Sequence, residues 1–215
     1  MYALGALPYC VSQSGPGGPL PDALALLELA SIARGYRVLD ALVKEAPVRV
    51  IEANLIEPGR FLILTGGAVA DVEAAHRVGR DVAGEDALDH LLLPYAHASV
   101  WNGLGGATIG GAEAAEIDTV GIIEGSSIAG VLEACDRSLK EADVALCGLR
   151  VAVALGGKGF FVVQGSQDAV EAAVGVAAAV LGARGKRARE EVVARPHAEF
   201  LAWLLRPAPF SAGLR

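Results

Sequence analysis

ELASIARGYRVLDALVKEAPV, residues 28–48, returns as EGSSIAGVLEACDRSLKEADV at residues 124–144. The two stretches align without a gap at an offset of 96. Glu28/Glu124, Ser31/Ser127, Ile32/Ile128, Ala33/Ala129, Asp40/Asp136, Lys44/Lys140, Glu45/Glu141, Ala46/Ala142 and Val48/Val144 are identical. Beyond them the offset becomes 98. Gly59/Gly157, Gly67/Gly165, Val72/Val170, Glu73/Glu171, Ala74/Ala172 and Ala75/Ala173 match there, and Arg60 stands opposite Lys158. By His97/His197 the offset is 100. A period near 100 residues is too long for a solenoid repeat and reads as two copies of one small domain.

The first copy opens with an apolar run, Leu24 to Leu29, that reads as a buried strand. Ser31 is placed to cap the helix that follows, with Val38, Leu42 and Ala46 recurring every fourth residue until Pro47. Val48 to Ile56 reads as a strand, Glu57-Pro58-Gly59 as a turn, and Phe61 to Leu64 as a short strand. Gly66-Gly67 breaks the chain before a second helix carrying Val69, Val72, Ala75 and Val82. Leu91 to Leu93 supplies a last strand. The second copy repeats this order. Its strands are Val120–Ile123, Val144–Leu155 and Phe160–Val163. Its first helix, capped by Ser126 or Ser127, reaches Ala142, and its second runs from about Gln167 to Leu181. The turn between its second and third strands is Gly156-Gly157-Lys158-Gly159. Each copy is therefore βαββαβ, an α+β, ferredoxin-like arrangement with helices on one sheet face and the other face free for partners. Asn102 to Gly111 is Gly-rich and reads as a linker between the copies; the expected boundaries are a flexible tail at 1–22, copy one at 23–104, a linker at 105–117, copy two at 118–206 and a C-terminal tail at 207–215.

Composition narrows the function classes. Apolar residues make up 53% of 215, only 20% are charged, and the net charge is −7; mean hydropathy is +0.44. So apolar a chain implies large subunit interfaces. The longest apolar run, Ala172 to Ala183, is far short of the roughly 20 residues of a spanning helix. No secretory leader is read in the first residues. Cys10, Cys135 and Cys147 form no C-x-x-C, which suits a reducing cytoplasm. The acidic balance speaks against nucleic acid. The basic cluster Arg184–Arg189 reads as a solvated turn.

The order E-x-x-S-I-A, D-x-x-x-K-E-A, strand, Gly-containing turn, strand, G-x-x-x-x-V-E-A-A and R-P-H resembles the bacterial microcompartment shell domain, over roughly residues 23–104 and 118–206. Two such domains in one chain resemble the tandem, non-permuted shell proteins. The resemblance implies a structural protein rather than an enzyme. Three chains would form a pseudohexameric disc that tiles beside hexameric shell proteins and vertex proteins. It also implies a central pore for small metabolites, lined by Glu57, Pro58, Gly59 and Arg60 from copy one and Gly156, Gly157 and Lys158 from copy two. Lys44, Lys140 and Arg195 match the family's tile-edge positions; copy one lacks the Arg, having Pro94-Tyr95-Ala96-His97. Copy two's longer loop is expected to dominate the pore and favour anions, with Glu57 partly neutralised by Arg60 or Lys158.

Competing readings of the same residues are weaker. Gly156-Gly157-Lys158-Gly159 lacks the P-loop's Ser/Thr and following helix. His76, His90, His97 and His197 form no H-E-x-x-H, and no Cys/His set has zinc spacing. The equivalence of His97 and His197 points to a structural role. No nucleophile, base and orienting group come together. Neither pore turn contains the Cys by which some tandem shell proteins hold an iron–sulfur cluster, so no cofactor is expected. Lys44 and Lys140 also fit i,i+4 ion pairs with Asp40 and Asp136. The alternative function is a small-molecule-binding or signalling trimer of ferredoxin-like domains.

Overall fold

Leu24 through Leu29 is buried at every position, as a strand covered on both faces requires, and it forms the centre of the first sheet. The computed structural model describes residues 20–105, 117–151 and 155–204. The C-terminal tail, most of the N-terminal tail and most of the linker lie outside the described residues. Copy one runs β1 (Ala23–Leu29), α1 (Ile32–Glu45), β2 (Arg49–Ile56), β3 (Arg60–Gly67), α2 (Val69–Ala83), β4 (Ala87–Pro94) and α3 (Ala98–Leu104). Copy two runs β5 (Thr119–Gly125), α4 (Ile128–Glu141), β6 (Ala145–Val151), β7 (Gly159–Gly165), α5 (Gln167–Ala183), β8 (Ala188–Ala194) and α6 (Ala198–Leu204). The sheets are ordered β2-β3-β1-β4 and β6-β7-β5-β8, and the strand pairs are antiparallel.

The serines cap as expected: the Arg34 N–H donates to Ser31 Oγ at 3.2 Å and the Gly130 N–H to Ser127 Oγ at 3.0 Å. Capping satisfies one orphan donor and is worth about 1 kcal/mol. In copy one, α1 and α2 cover one sheet face, burying Val38, Leu42, Ala75 and Ala83 against Leu27, Leu29, Phe61 and Ile63.

Several expectations need correction. Gly66 and Gly67 do not break the chain; they end β3, which is longer than Phe61–Leu64. A Cβ at Gly66 would sit 2.8 Å from Trp101 Cη2, so the position needs its missing side chain for packing rather than for a bend. β6 is described over Ala145–Val151, and the part of the strand expected beyond it, at 152–154, lies outside the described residues. Residues 102–104 belong to α3, not to a linker. Nor is the second sheet face left free. The short helices α3 and α6 lie over it, burying Val100 and Trp101 in copy one and Leu201 in copy two. Each is opened by an imidazole: Nδ1 of His97 accepts the Ser99 N–H at 3.2 Å, and Nδ1 of His197 accepts that of Glu199 at 3.3 Å. That is the shared structural role their equivalence implied.

The two copies share a core. Trp101, Leu91 and Leu93 of copy one belong to the same buried cluster as Leu132, Leu146 and Phe161 of copy two. At the joint α3 packs on β6 and α4 on β4. A Cβ at Gly103 would fall 2.9 Å from Leu149 Cβ.

Candidate functional site

The two turns expected to line a pore meet within one chain. A Cβ built on Gly157 would lie 3.4 Å from Arg60 Nη1 and 3.6 Å from the Glu57 carbonyl oxygen. The turns reverse through Gly59 (φ 77°) in copy one and Gly156 and Gly157 (φ 59° and 82°) in copy two. These are left-handed values that glycine adopts without a Cβ penalty. The Glu57–Pro58 peptide is cis.

The charges pair differently from the expectation. Arg60 Nη1 donates to Glu28 Oε1 at 2.6 Å, and Lys158 Nζ to Glu124 Oε1 at 2.8 Å. Glu28 and Glu124 are one of the repeated identities, so the duplication preserved a strand carboxylate holding the turn's cation. Neither cation neutralises Glu57, which is exposed and has no ion-pair partner among the described residues. A cation at the first position of β3 reaches back across the neighbouring strand, where Glu28 faces it; Glu57 lies on the far side of the turn.

The expected edge residues also have defined places. Lys44 pairs with Asp40 at 2.6 Å and Lys140 with Asp136 at 2.7 Å, both i,i+4. Arg195 is exposed, takes φ 48°, and its N–H donates to Asp118 O at 2.6 Å. Its counterpart Tyr95 has φ 55°. The ten residues from 44 to 195 named for pore and edge thus fall into a turn cluster, two helix positions and the bend that follows β8.

A third constellation went unread in the sequence: the seam between the copies. Asp89 on β4 accepts from Ser127 Oγ at 2.6 Å and from Arg184 Nη2 at 2.8 Å, and Lys186 Nζ lies 3.4 Å away. Arg184 also donates to the His90 carbonyl at 2.8 Å and pairs with Glu133 on α4. Burial alone would raise the Asp89 carboxyl. The Ser127 hydroxyl, Arg184, the His90 N–H and Lys186 together hold it below the usual range. Further along, the His97 N–H donates to Asp136 Oδ1 at 2.7 Å, and Asp136 is 2% exposed. The segment Arg184–Arg189 is therefore not simply a solvated turn: Arg184 and Lys186 clasp copy one. Subtracting one copy from the other would have found this, since Asp89 aligns with Arg189 across the sheet register.

Of the thiols, Cys135 and Cys147 are buried and free. Burial raises both, Cys147 to about 11. Among the described residues no group of three His, Cys, Asp or Glu is placed to hold a metal ion, and no helix is long and apolar enough to cross a membrane.

Comparison with known proteins agrees with this geometry. The BMC domain model matches residues 23–96 and again 119–196. The bacterial microcompartment shell protein PduT of Citrobacter freundii is 37% identical over 178 residues, covering 83% of this chain and 95% of PduT. The carboxysome shell protein CcmK2 of Synechococcus elongatus is 28% identical over 85 residues, 38% of this chain and 83% of that protein. Among solved structures, a microcompartment protein from Desulfitobacterium hafniense DCB superposes with a TM-score of 0.73 at 32% identity, covering 83% of this chain and 97% of that one. A fused permuted hexameric shell protein of the RMM microcompartment has TM-score 0.53 at 18% identity over 74% of this chain and 81% of its own, which speaks to the fold alone. With two BMC domains in tandem and strands in unpermuted order, the chain belongs to the bacterial microcompartment shell protein family.

Proposed function

We propose that three copies of this chain close into a pseudohexameric tile of a bacterial microcompartment shell, a structural role rather than an enzymatic one. One observation carries the reading: equivalent helices are covered to very different extents. Ten residues of α4 are buried, from Ile128 to Leu139, whereas α1 buries only Gly35, Val38 and Leu42. Copy one covers α4, whereas among the described residues no equivalent cover lies over the outer face of α1, where Ile32, Tyr36 and Val43 are exposed. The seam inside the chain is head-to-tail, β4 and α3 of one copy against the first helix of the next. A contact of that kind, repeated from chain to chain, makes a ring where its rotation closes, and the family's hexameric shell proteins support closure at six domains. Six domains, hence three chains, would satisfy every first helix.

In such a ring the β2–β3 and β6–β7 turns converge on the axis and supply a passage for small metabolites. With Arg60 held by Glu28 and Lys158 by Glu124, Glu57 is the carboxylate left unmatched at the turns. The passage then favours neutral or cationic solutes, not the anions expected from Lys158 alone. Lys44, Lys140 and Arg195 remain the residues proposed to meet neighbouring hexameric tiles and vertex proteins. The family membership supports this reading over a signalling trimer.

Native mass spectrometry tests it. Chains of 22.0 kDa should travel as one species of about 66 kDa. A monomer, or any stoichiometry other than three, would overturn the ring.

A further inference from the structure

The seam between chains would reuse the seam within the chain, yet its charges are reversed. The correspondence rests on geometry. Gly84 (φ 55°) follows α2 as Gly185 (φ 65°) follows α5. The Ala30 N–H donates to Asp86 O at 2.9 Å as the Ser126 N–H donates to Arg187 O at 3.2 Å. Glu28 faces Asp89 across the sheet as Glu124 faces Arg189. Glu85 therefore occupies the place of Lys186, and Arg189 the place of Asp89. Within the chain Lys186 meets Asp89 at 3.4 Å. Carried to the next seam, Glu85 meets Arg189.

Building on the ring reading, we infer that neighbouring chains are joined by a charge-reversed pair, Glu85 of one chain with Arg189 of the next, which selects a second copy of this chain as the partner. Both side chains are exposed, and neither has an ion-pair partner among the described residues. The surroundings change in the same sense. Arg184, which would repel Arg189, is replaced by Ala83. Glu133, which pairs with Arg184 inside the chain, is replaced by Arg37, so this position too changes sign. Ser31 and Asp40 stand where Ser127 and Asp136 serve the inner seam. Asp40 is spent only on Lys44 and is more than half exposed, leaving an oxygen for the His197 N–H as Asp136 serves that of His97.

The reversal excludes wrong partners as well as holding the right one. A subunit presenting an Asp89-type face would bring its carboxylate onto Glu85. One presenting a Lys186-type face would bring cations onto Arg189. Like charges at a seam cost affinity and set specificity.

The experiment is charge reversal read by native mass spectrometry at low ionic strength. Glu85→Lys and Arg189→Glu should each raise the concentration at which the trimer half-dissociates by about tenfold. The double variant Glu85→Lys/Arg189→Glu should return it to within about threefold of the parent. Both positions are exposed, and a thermal melt of each variant checks that the fold is unchanged. A parent trimer whose single variants dissociate at the parent's concentration, or whose double variant shows no recovery, overturns this pair while leaving the ring intact. A parent that is not a trimer overturns the ring and this inference with it.

Discussion

Helices α1 and α4 begin with the same capping serine and the same Ile-Ala, and end with the same Lys-Glu. They differ in what lies against them. Ile128 and Leu132 of α4 are fully buried, while their counterparts on α1, Ile32 and Tyr36, lie in the open. The difference shows that duplication fixed the local fold and left the outer faces free to diverge. One face became interior to the chain; its twin stayed exposed. The strands behave alike: β4 presents Leu91 and Leu93 where β8 presents Glu191 and Val193.

The largest contrast to break is in the second helices, where buried His76 of copy one stands opposite buried Val174 of copy two. His76 is 7% exposed, neither ring nitrogen has a hydrogen-bond partner among the described residues, and the His90 ring lies tilted beside it with centroids 5.5 Å apart. Burial, with repulsion from His90 and Arg80, lowers its pKa to about 4. The unfolded chain takes up the proton first, near pH 6.5. Stability is therefore full above that pH and falls as the pH drops towards 4, by about 2 kcal/mol at pH 5. Urea melts of the parent and His76→Val at pH 7.5 and 5.0 should show this loss in the parent and a reduced loss in the variant. Equal losses would place the acid sensitivity elsewhere.

Next come the repeated lysines. Lys140→Ala should cost about 1 kcal/mol, because it strips the cation from a carboxylate buried at the inner seam. Lys44→Ala should cost less than about 0.5 kcal/mol, since Lys44 and Asp40 are both largely exposed and such pairs contribute little. Thermal melts of the two variants side by side check it; equal costs would mean that the seam does not distinguish the copies.

The smallest effect concerns the turns. In tiles reconstituted in a planar bilayer, Glu57→Gln should lower the cation-to-anion permeability ratio by about twofold. Lys158→Gln should change it less, because Glu124 already offsets that charge. An anion preference abolished by Lys158→Gln would restore the expectation drawn from the sequence.

Most of the fold was legible because its signals are local. Serine caps, helical spacing and glycine turns recur in both copies, so each reading had a second witness. What escaped was decided by tertiary contact. Gly66 reads as a breaker, since nothing nearby in sequence announces that Trp101 will fill its empty side. Residues 102–104 read as linker because their burial depends on β6, far along the chain. Arg184 reads as solvated because both of its carboxylate partners, Asp89 and Glu133, are distant in sequence. The pairing of Lys158 with Glu124 was within reach, since both residues sit at repeated positions with the same polarity as Arg60 and Glu28.

The shared core has a consequence in time. A ribosome delivers copy one first, with α3 and Trp101 finished while β6, against which α3 will rest, is still roughly fifty residues from existence. At about 5–20 residues per second that interval lasts several seconds. Through it the nascent chain carries an unfinished apolar flank that only its own later half can close. The tandem connection thus seals the flank of α4 from within the chain and leaves the equivalent flank of α1 exposed.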